Sequence, residues 1–372
     1  MRIKSLNDLS ANCIHTYSES GYVDVSYHPV YSLTNGGNLN FLHPQIGLYC
    51  FKNVSLISPS EIIRFDDGYI VQRYHYPSHN FEFITDPCLI YPSPNPQVIT
   101  IAYRKSDKHL RKAFSLLNHS INHWAHFLAE VLPKLVAFDQ YPVDIDIPIL
   151  VPRITDQHIL ELIYRANTKQ RPILFLDDGD SMFCDELYWI SNCSYICNHS
   201  SSWHPSVIVI PRWTRKIMYD FLSTVLSQHN VEDFSFRRIF LARTNNRTLV
   251  NMQAISEYFE KRKFTIVSSP HTLSLSEKIS IFRSASYVVG PASSAMMNCI
   301  FNANPMHVLG FYNYSRAMDS FLTQIWATEE PRSSFNIIIG NSSEFSNLQS
   351  SYTVDLSIIE SFMKESSVWS KV

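Results

Sequence analysis

The chain has 372 residues, 45% of them hydrophobic, and a formal net charge of −2. That length fits two domains better than one core, the composition is globular rather than disordered, and a near-neutral charge without a Lys/Arg run gives no basis for nucleic-acid binding. With only 9 glycines, neither a P-loop nor a Gly-rich dinucleotide fingerprint occurs, so a phosphate site here must use other donors.

The N-terminal MRIKSLNDLSANC has no apolar h-region, so no secretory signal is expected, and no run of about 18 apolar residues predicts a spanning helix. The seven scattered cysteines, Cys13, Cys50, Cys88, Cys184, Cys193, Cys197 and Cys299, then read as reduced thiols of a cytoplasmic protein. Cys193, Cys197 and His199 lack a paired C-x-x-C and read as structural, so no metal site is expected.

Residues 1 to about 95 carry short apolar alternations such as GLYCFKNVSLIS, which predict strands and turns. From 96 the pattern alternates strand and helix: QVITIAYR, helix HWAHFLAEVLPKLVAF, IPILVPR, helix DQHILELIYRAN, RPILFL. The segment NCSYICNHSSSWHPS reads as a domain boundary. Helix PRWTRKIMYDFLSTVLSQH follows, with Pro211 in its first turn. RRIFLAR, FTIVSS, YVVGP and MHVLGF are then strands, separated by helices NMQAISEYFEKR, SLSEKISIFRSA and SAMMNCIFN, which predicts a doubly wound parallel sheet. Three regions result: 1–205 with a β-rich cap, 206–345, and 346–372, whose helix SIIESFMKESSVW is expected to pack back on the first domain. The architecture implied is α/β, with two tandem α/β units and a cleft between them.

Several residues are placed to carry chemistry. Arg243 ends a strand and Arg247 lies in the turn after it, where open α/β sheets bind ligands. Two guanidinium forks there suit a diphosphate, although a solvated turn would look the same. Asn251 is either a ligand contact or the N-cap of the next helix. In GPASSAMMN a helix begins near Ser293 or Ser294, and its free N–H groups suit an anion, alongside simple serine capping. Ser274 and Glu277 form an S-x-x-E capping box, and Glu277 could also meet a sugar hydroxyl. On the helix NHWAHFLAEVLPKL, His123, His126 and Glu130 share a face. His126 and Glu130, four apart, match a general base with its orienting carboxylate; metal ligation and a structural role are the alternatives.

The order N-x-x-x-H-x-x-x-E-x-L-P, R-x-x-x-R-x-x-x-N, S-x-x-E-K-I and V-G-P-x-x-S-A-x-x-N-x-x-F resembles glycosyltransferase family 61 over roughly 115–311. The matching residues are His126, Glu130, Leu132 and Pro133; Arg243, Arg247 and Asn251; Glu277; and Gly290, Pro291, Ser294, Asn298 and Phe301. The resemblance implies a GT-B-like fold, two Rossmann-like domains facing across a cleft, and inverting, metal-independent transfer without a cofactor. It implies a nucleotide-sugar donor held by Arg243, Arg247, Asn251, Glu277, Ser293, Ser294 and Asn298, with His126 and Glu130 catalytic. A glycan or lipid-linked glycan would be the acceptor, with peripheral contact to the inner face of a membrane, as in bacterial capsule or surface polysaccharide synthesis. Region 1–205 would be the acceptor domain and 206–345 the donor domain. Two departures stand out. Ala292 and Ser293 occupy the places of a His-Gly pair common in the family, and His123 stands where its Asn usually lies, Asn122 being one residue earlier. A non-catalytic nucleotide-sugar or glycan-binding protein of the same fold is the alternative.

Overall fold

The structure is a computed structural model. It describes residues 2–4, 7–31, 37–71, 86–87, 89–92, 99–101, 106, 108–196, 208–227, 237–243, 248–291, 293–302, 304–313, 334–342 and 350–372. The chain forms two compact units, Met1–Val23 with Phe41–Phe221, and Asp24–Asn40 with Leu222–Val372.

The first unit is built on a nine-stranded mixed sheet in the order Arg2–Ile3, Gly68–Val71, Ile62–Arg64, Ile46–Ile57, Ser181–Ile190, Lys108–Ser115, Ile149–Pro152, Ile173–Leu176, with Cys13–Ser18 also paired to Ile46–Ile57. The last four strands of that path run parallel, and Ser181–Ile190 meets Ile46–Ile57 antiparallel. Two of these strands, Lys108–Ser115 and Ser181–Ile190, were not foreseen from the sequence, because Lys108, His109, Arg111 and Lys112 in one and Asp185 and Glu186 in the other interrupt the apolar pattern. Those charges pair across the strands instead: Lys52 with Glu186 at 2.6 Å and His109 with Asp185 at 2.7 Å. The core holds Tyr49, Phe51, Leu56, Leu150, Leu187 and Trp189.

Helical structure runs from Trp124 to Gln140 in three pieces: α over Trp124–His126, a π turn over Phe127–Val131, and α over Leu132–Gln140. Pro133 gives the local reason for an irregular ladder. It has no N–H to donate four residues back to Ala129 O. Ser194 fills that gap, its hydroxyl donating to Ala129 O at 2.5 Å. Ser194 and Cys193 are fully buried, so this part of the segment read as a boundary is core. Burial pushes the Cys193 thiol up to about 12; Cys197 and His199 lie outside the described residues.

The second unit is built on a seven-stranded sheet in the order Thr265–Val267, Arg238–Leu241, Tyr287–Pro291, His307–Asn313, Ser334–Gly340, Gly21–Tyr31, Gly37–His43, the last two belonging to this unit from Asp24 and up to Asn40 respectively. The first five are parallel neighbours, and in chain order they stand second, first, third, fourth, fifth, a doubly wound arrangement. Helices Met252–Glu260 and Leu275–Arg283 connect them as the alternation predicts. Between Pro291 and His307 the connection is a 3-10 helix, Ser294–Phe301, rather than an α-helix. Gly21–Tyr31 joins Ser334–Gly340 in parallel, with Asn336 opposite His28, so N-terminal residues widen this sheet. The helix read as packing back on the first domain, Leu356–Glu365, has its apolar face in this unit's core: Ile359, Phe362, Met363 and the following Trp369 pack with Phe240, Phe259 and Leu309.

Candidate functional site

In the first unit, His126 and Glu130 are brought together. His126 Nδ1 lies 3.0 Å from Glu130 Oε2, with the two side chains 9% and 3% exposed. With Nδ1–H donated to the carboxylate, Nε2 is left as the acceptor nitrogen. His123, the extended residue before the helix, has its ring 6.0 Å from that of His126. Partial burial and the neighbouring His126 hold its pKa below the ordinary histidine range.

The loop leading into this helix is fixed by two asparagines that the sequence reading did not single out for such a role. Asn118 is buried; its Oδ1 accepts from Ser120 N at 2.7 Å and its Nδ2 donates to Glu61 Oε1 at 2.8 Å. Glu61 N in turn donates to Asp86 Oδ2 at 3.0 Å, and His119 Nδ1 stands 3.9 Å from Glu61 Oε2. Asn122 clamps the loop after the neighbouring strand: Nδ2 donates to Arg153 O at 3.0 Å and Oδ1 accepts from Thr155 N at 2.9 Å. The offset of Asn122 from His126 was visible in the sequence; the loop it would meet was not.

In the second unit, the sheet order reverses between Arg238–Leu241 and Tyr287–Pro291. The crevice beyond the carboxyl ends of two such strands is where doubly wound sheets bind ligands. Arg243 follows the first strand by two residues and is half-buried; Ser293 and Ser294 follow the second, half-buried and exposed respectively. Gly290 allows the close approach: a Cβ there would lie 2.6 Å from Leu241 O and 3.0 Å from Leu241 Cβ. Ser293 is extended, with φ −158° and ψ 162°, and makes no side-chain cap; its carbonyl accepts from Met296 N at 3.0 Å. Asn298 is buried within the 3-10 helix. Arg247 and Ala292 lie outside the described residues.

The other two residues have local partners. Glu277 completes the capping box: its Oε2 accepts from Ser274 N and Ser274 Oγ, both at 2.7 Å, and Ser274 Oγ accepts from Glu277 N at 3.3 Å. The Ser274 hydroxyl, then its backbone N–H, hold the exposed carboxyl below the usual glutamate range. Asn251 is not a side-chain N-cap; its Nδ2 donates to Val354 O at 2.7 Å and its Oδ1 accepts from Val354 N at 3.3 Å. Among the described residues there is no group of three His, Cys, Asp or Glu arranged to hold a metal ion, and no helix long and apolar enough to cross a membrane.

A doubly wound unit with an arginine and serines at its reversal, and a separate unit with a buried His–Glu pair, are compatible with more than one chemistry. A comparison with known families decides the class: the model described as Glycosyltransferase 61 matches residues 124–309, half of the chain. The chain belongs to glycosyltransferase family 61. The matched span begins two residues before His126 and takes in Glu130, Arg243, Glu277, Ser294 and Asn298. The search of curated proteins found no match. As a member of glycosyltransferase family 61 the protein is a transferase that acts on a sugar donor and an acceptor.

Proposed function

We propose that this glycosyltransferase is an inverting, metal-independent enzyme of GT-B type that moves a hexose or pentose from a nucleotide diphosphate donor to a glycan acceptor. The observation that carries the reading is the placement of Arg243 and the Ser293–Ser294 turn at the carboxyl ends of the two strands flanking the sheet reversal. Guanidinium groups of Arg243 and Arg247, with N–H groups at the helix start, would take up the negative charge that grows on the departing diphosphate. His126 Nε2 accepts the proton of the acceptor hydroxyl as its oxygen bonds to the anomeric carbon and the carbon–oxygen bond to the diphosphate breaks. Glu130 holds the ring and stabilises the imidazolium so formed. The acceptor belongs with the first unit and the donor with the second. The setting proposed is cytoplasmic synthesis of bacterial capsule or surface polysaccharide, at the inner membrane face where the acceptor is lipid-linked.

The test is Arg243→Ala in a panel of nucleotide sugars. Turnover should fall on the order of 10²-fold or more in kcat/KM, as for other groups that stabilise transition-state charge, with the urea midpoint retained. Unchanged turnover refutes the donor site. Strong inhibition by EDTA, reversed by Mg²⁺ or Mn²⁺, contradicts metal independence, and tight donor binding without transfer supports a binding protein instead.

A further inference from the structure

The loop that carries Arg243 has a second anchor that none of the sequence motifs contains. The chain leaves the sheet at Leu241 and returns to regular structure at Met252. Its last residues, Thr248–Asn251, are held by Ser350–Val354, about 100 positions later in the chain. Tyr352 N donates to Thr248 O at 3.1 Å and Val250 N donates to Tyr352 O at 2.8 Å, which makes a parallel bridge between Leu249 and Tyr352. Asn251 adds the two bonds to Val354 described above.

The segment Ser350–Val354 is itself fixed to the same sheet. The Tyr352 hydroxyl donates to Phe311 O at 2.9 Å, and Tyr352 is 3% exposed. Asn341 N donates to Thr353 O at 2.8 Å, and Thr353 N returns a bond to Asn341 O at 2.9 Å. Asn313 Nδ2 reaches Ser350 O at 3.4 Å. A Cβ on Gly340 would collide with the Thr353 carbonyl, so backbone lies against backbone there. Asn313 and Gly340 end their strands, Phe311 lies two residues before the first of these ends and Asn341 directly follows the second, all toward the carboxyl ends from which Arg243 emerges.

We propose that Ser350–Val354 is a positioning strap for the donor-phosphate loop, and that Asn251 and Tyr352 act on the diphosphate through that loop rather than by touching it. The inference rests on the donor reading of Arg243. A charge-stabilising group contributes most when it is held in place before the ligand arrives. Fixing both ends of a connection lowers the ordering cost that a ligand must meet on binding. The strap ties the other end, directly after Arg247 in sequence. Asn251 thereby gains a role that is neither a helix cap nor a ligand contact.

Inorganic pyrophosphate is the probe, because it reports the diphosphate clamp whatever base the donor carries. Binding is measured by calorimetry for the wild type, Arg243→Ala, Asn251→Ala, Tyr352→Phe and the Arg243→Ala/Asn251→Ala pair, with thermal melts as a control for folding. Asn251→Ala should weaken binding about 10-fold and Tyr352→Phe, which keeps the ring, about 3-fold. The double variant should bind little worse than Arg243→Ala alone, because both changes act on one loop. Hydrogen exchange at the Val250 and Val354 amides should quicken about 10-fold in Asn251→Ala. A loss in Arg243→Ala with wild-type binding in both strap variants overturns the strap. Losses that multiply in the double variant overturn it as well, making Asn251 a direct contact. Unchanged binding in Arg243→Ala overturns the donor reading, and the strap's role with it.

Discussion

Glu130→Gln isolates the charge of the His126 partner from its shape. Gln keeps a side-chain oxygen for the Nδ1–H, so the ring orientation set by the 3.0 Å contact is retained. On the proposed mechanism, what disappears is the attraction between the carboxylate and the imidazolium formed as the acceptor proton moves. Unit charges about 4 Å apart at an effective dielectric of ~20 attract by about 4 kcal/mol. A transition state with the proton half transferred realises about half of this, ~2 kcal/mol, or roughly a 30-fold fall in kcat. His126→Ala removes the proposed base and should cost on the order of 10²- to 10⁴-fold. Initial rates with the donor and acceptor identified from the panel, alongside urea melts, make the measurement. A Glu130→Gln enzyme within twofold of the wild-type kcat would refute the assignment, since a 3%-exposed carboxylate is too well shielded for solvent to mask its loss.

Ser194→Ala strips the buried Ala129 carbonyl of the donor that replaces the missing Pro133 N–H, and should lower stability by about 1–3 kcal/mol in urea unfolding; a loss under ~0.5 kcal/mol would mean the helix closes the gap unaided. Gly290→Ala places a methyl against Leu241 O and should destabilise by roughly 1–3 kcal/mol, with pyrophosphate binding weakened as the two strands part; wild-type behaviour in both measurements would show that the close approach is dispensable. Because its folded pKa is depressed, Glu277 stabilises its helix at pH values above the ordinary glutamate range and loses that contribution as pH falls through the lowered pKa. NMR titration should show a depressed Glu277 midpoint that rises in Ser274→Ala, and no rise would remove the Ser274 hydroxyl as its main cause.

Four strands of the doubly wound sheet were readable because they are short apolar runs with β-branched residues, Tyr287–Pro291 and His307–Asn313 among them, and its helices carry explicit start signals such as Ser274 with Glu277; its fifth parallel strand, Ser334–Gly340, was not among those read. The pairing of His126 with Glu130 was readable from spacing alone, even though the helix there is a π turn. The strands Lys108–Ser115 and Ser181–Ile190 were hidden because charges that face each other across a sheet break the alternation within each strand. The roles of Asn118, Asn122 and Asn251 were hidden for a different reason. An amide clamps whatever donor or acceptor lies within hydrogen-bond reach, and sequence spacing says nothing about partners 31, 57 or 103 positions away.

The strand Gly21–Tyr31 in the second unit's sheet has a consequence in time. Its partner Ser334–Gly340 leaves the ribosome roughly 300 residues later, about 15–60 s at ordinary rates of synthesis. The strand Gly21–Tyr31 is therefore made long before the edge it joins exists, and the second unit completes its sheet only once Ser334–Gly340 has been synthesised. A fragment beginning at Leu222 would expose the side of Ser334–Gly340 that Gly21–Tyr31 covers, an open edge of the kind that invites pairing with other chains.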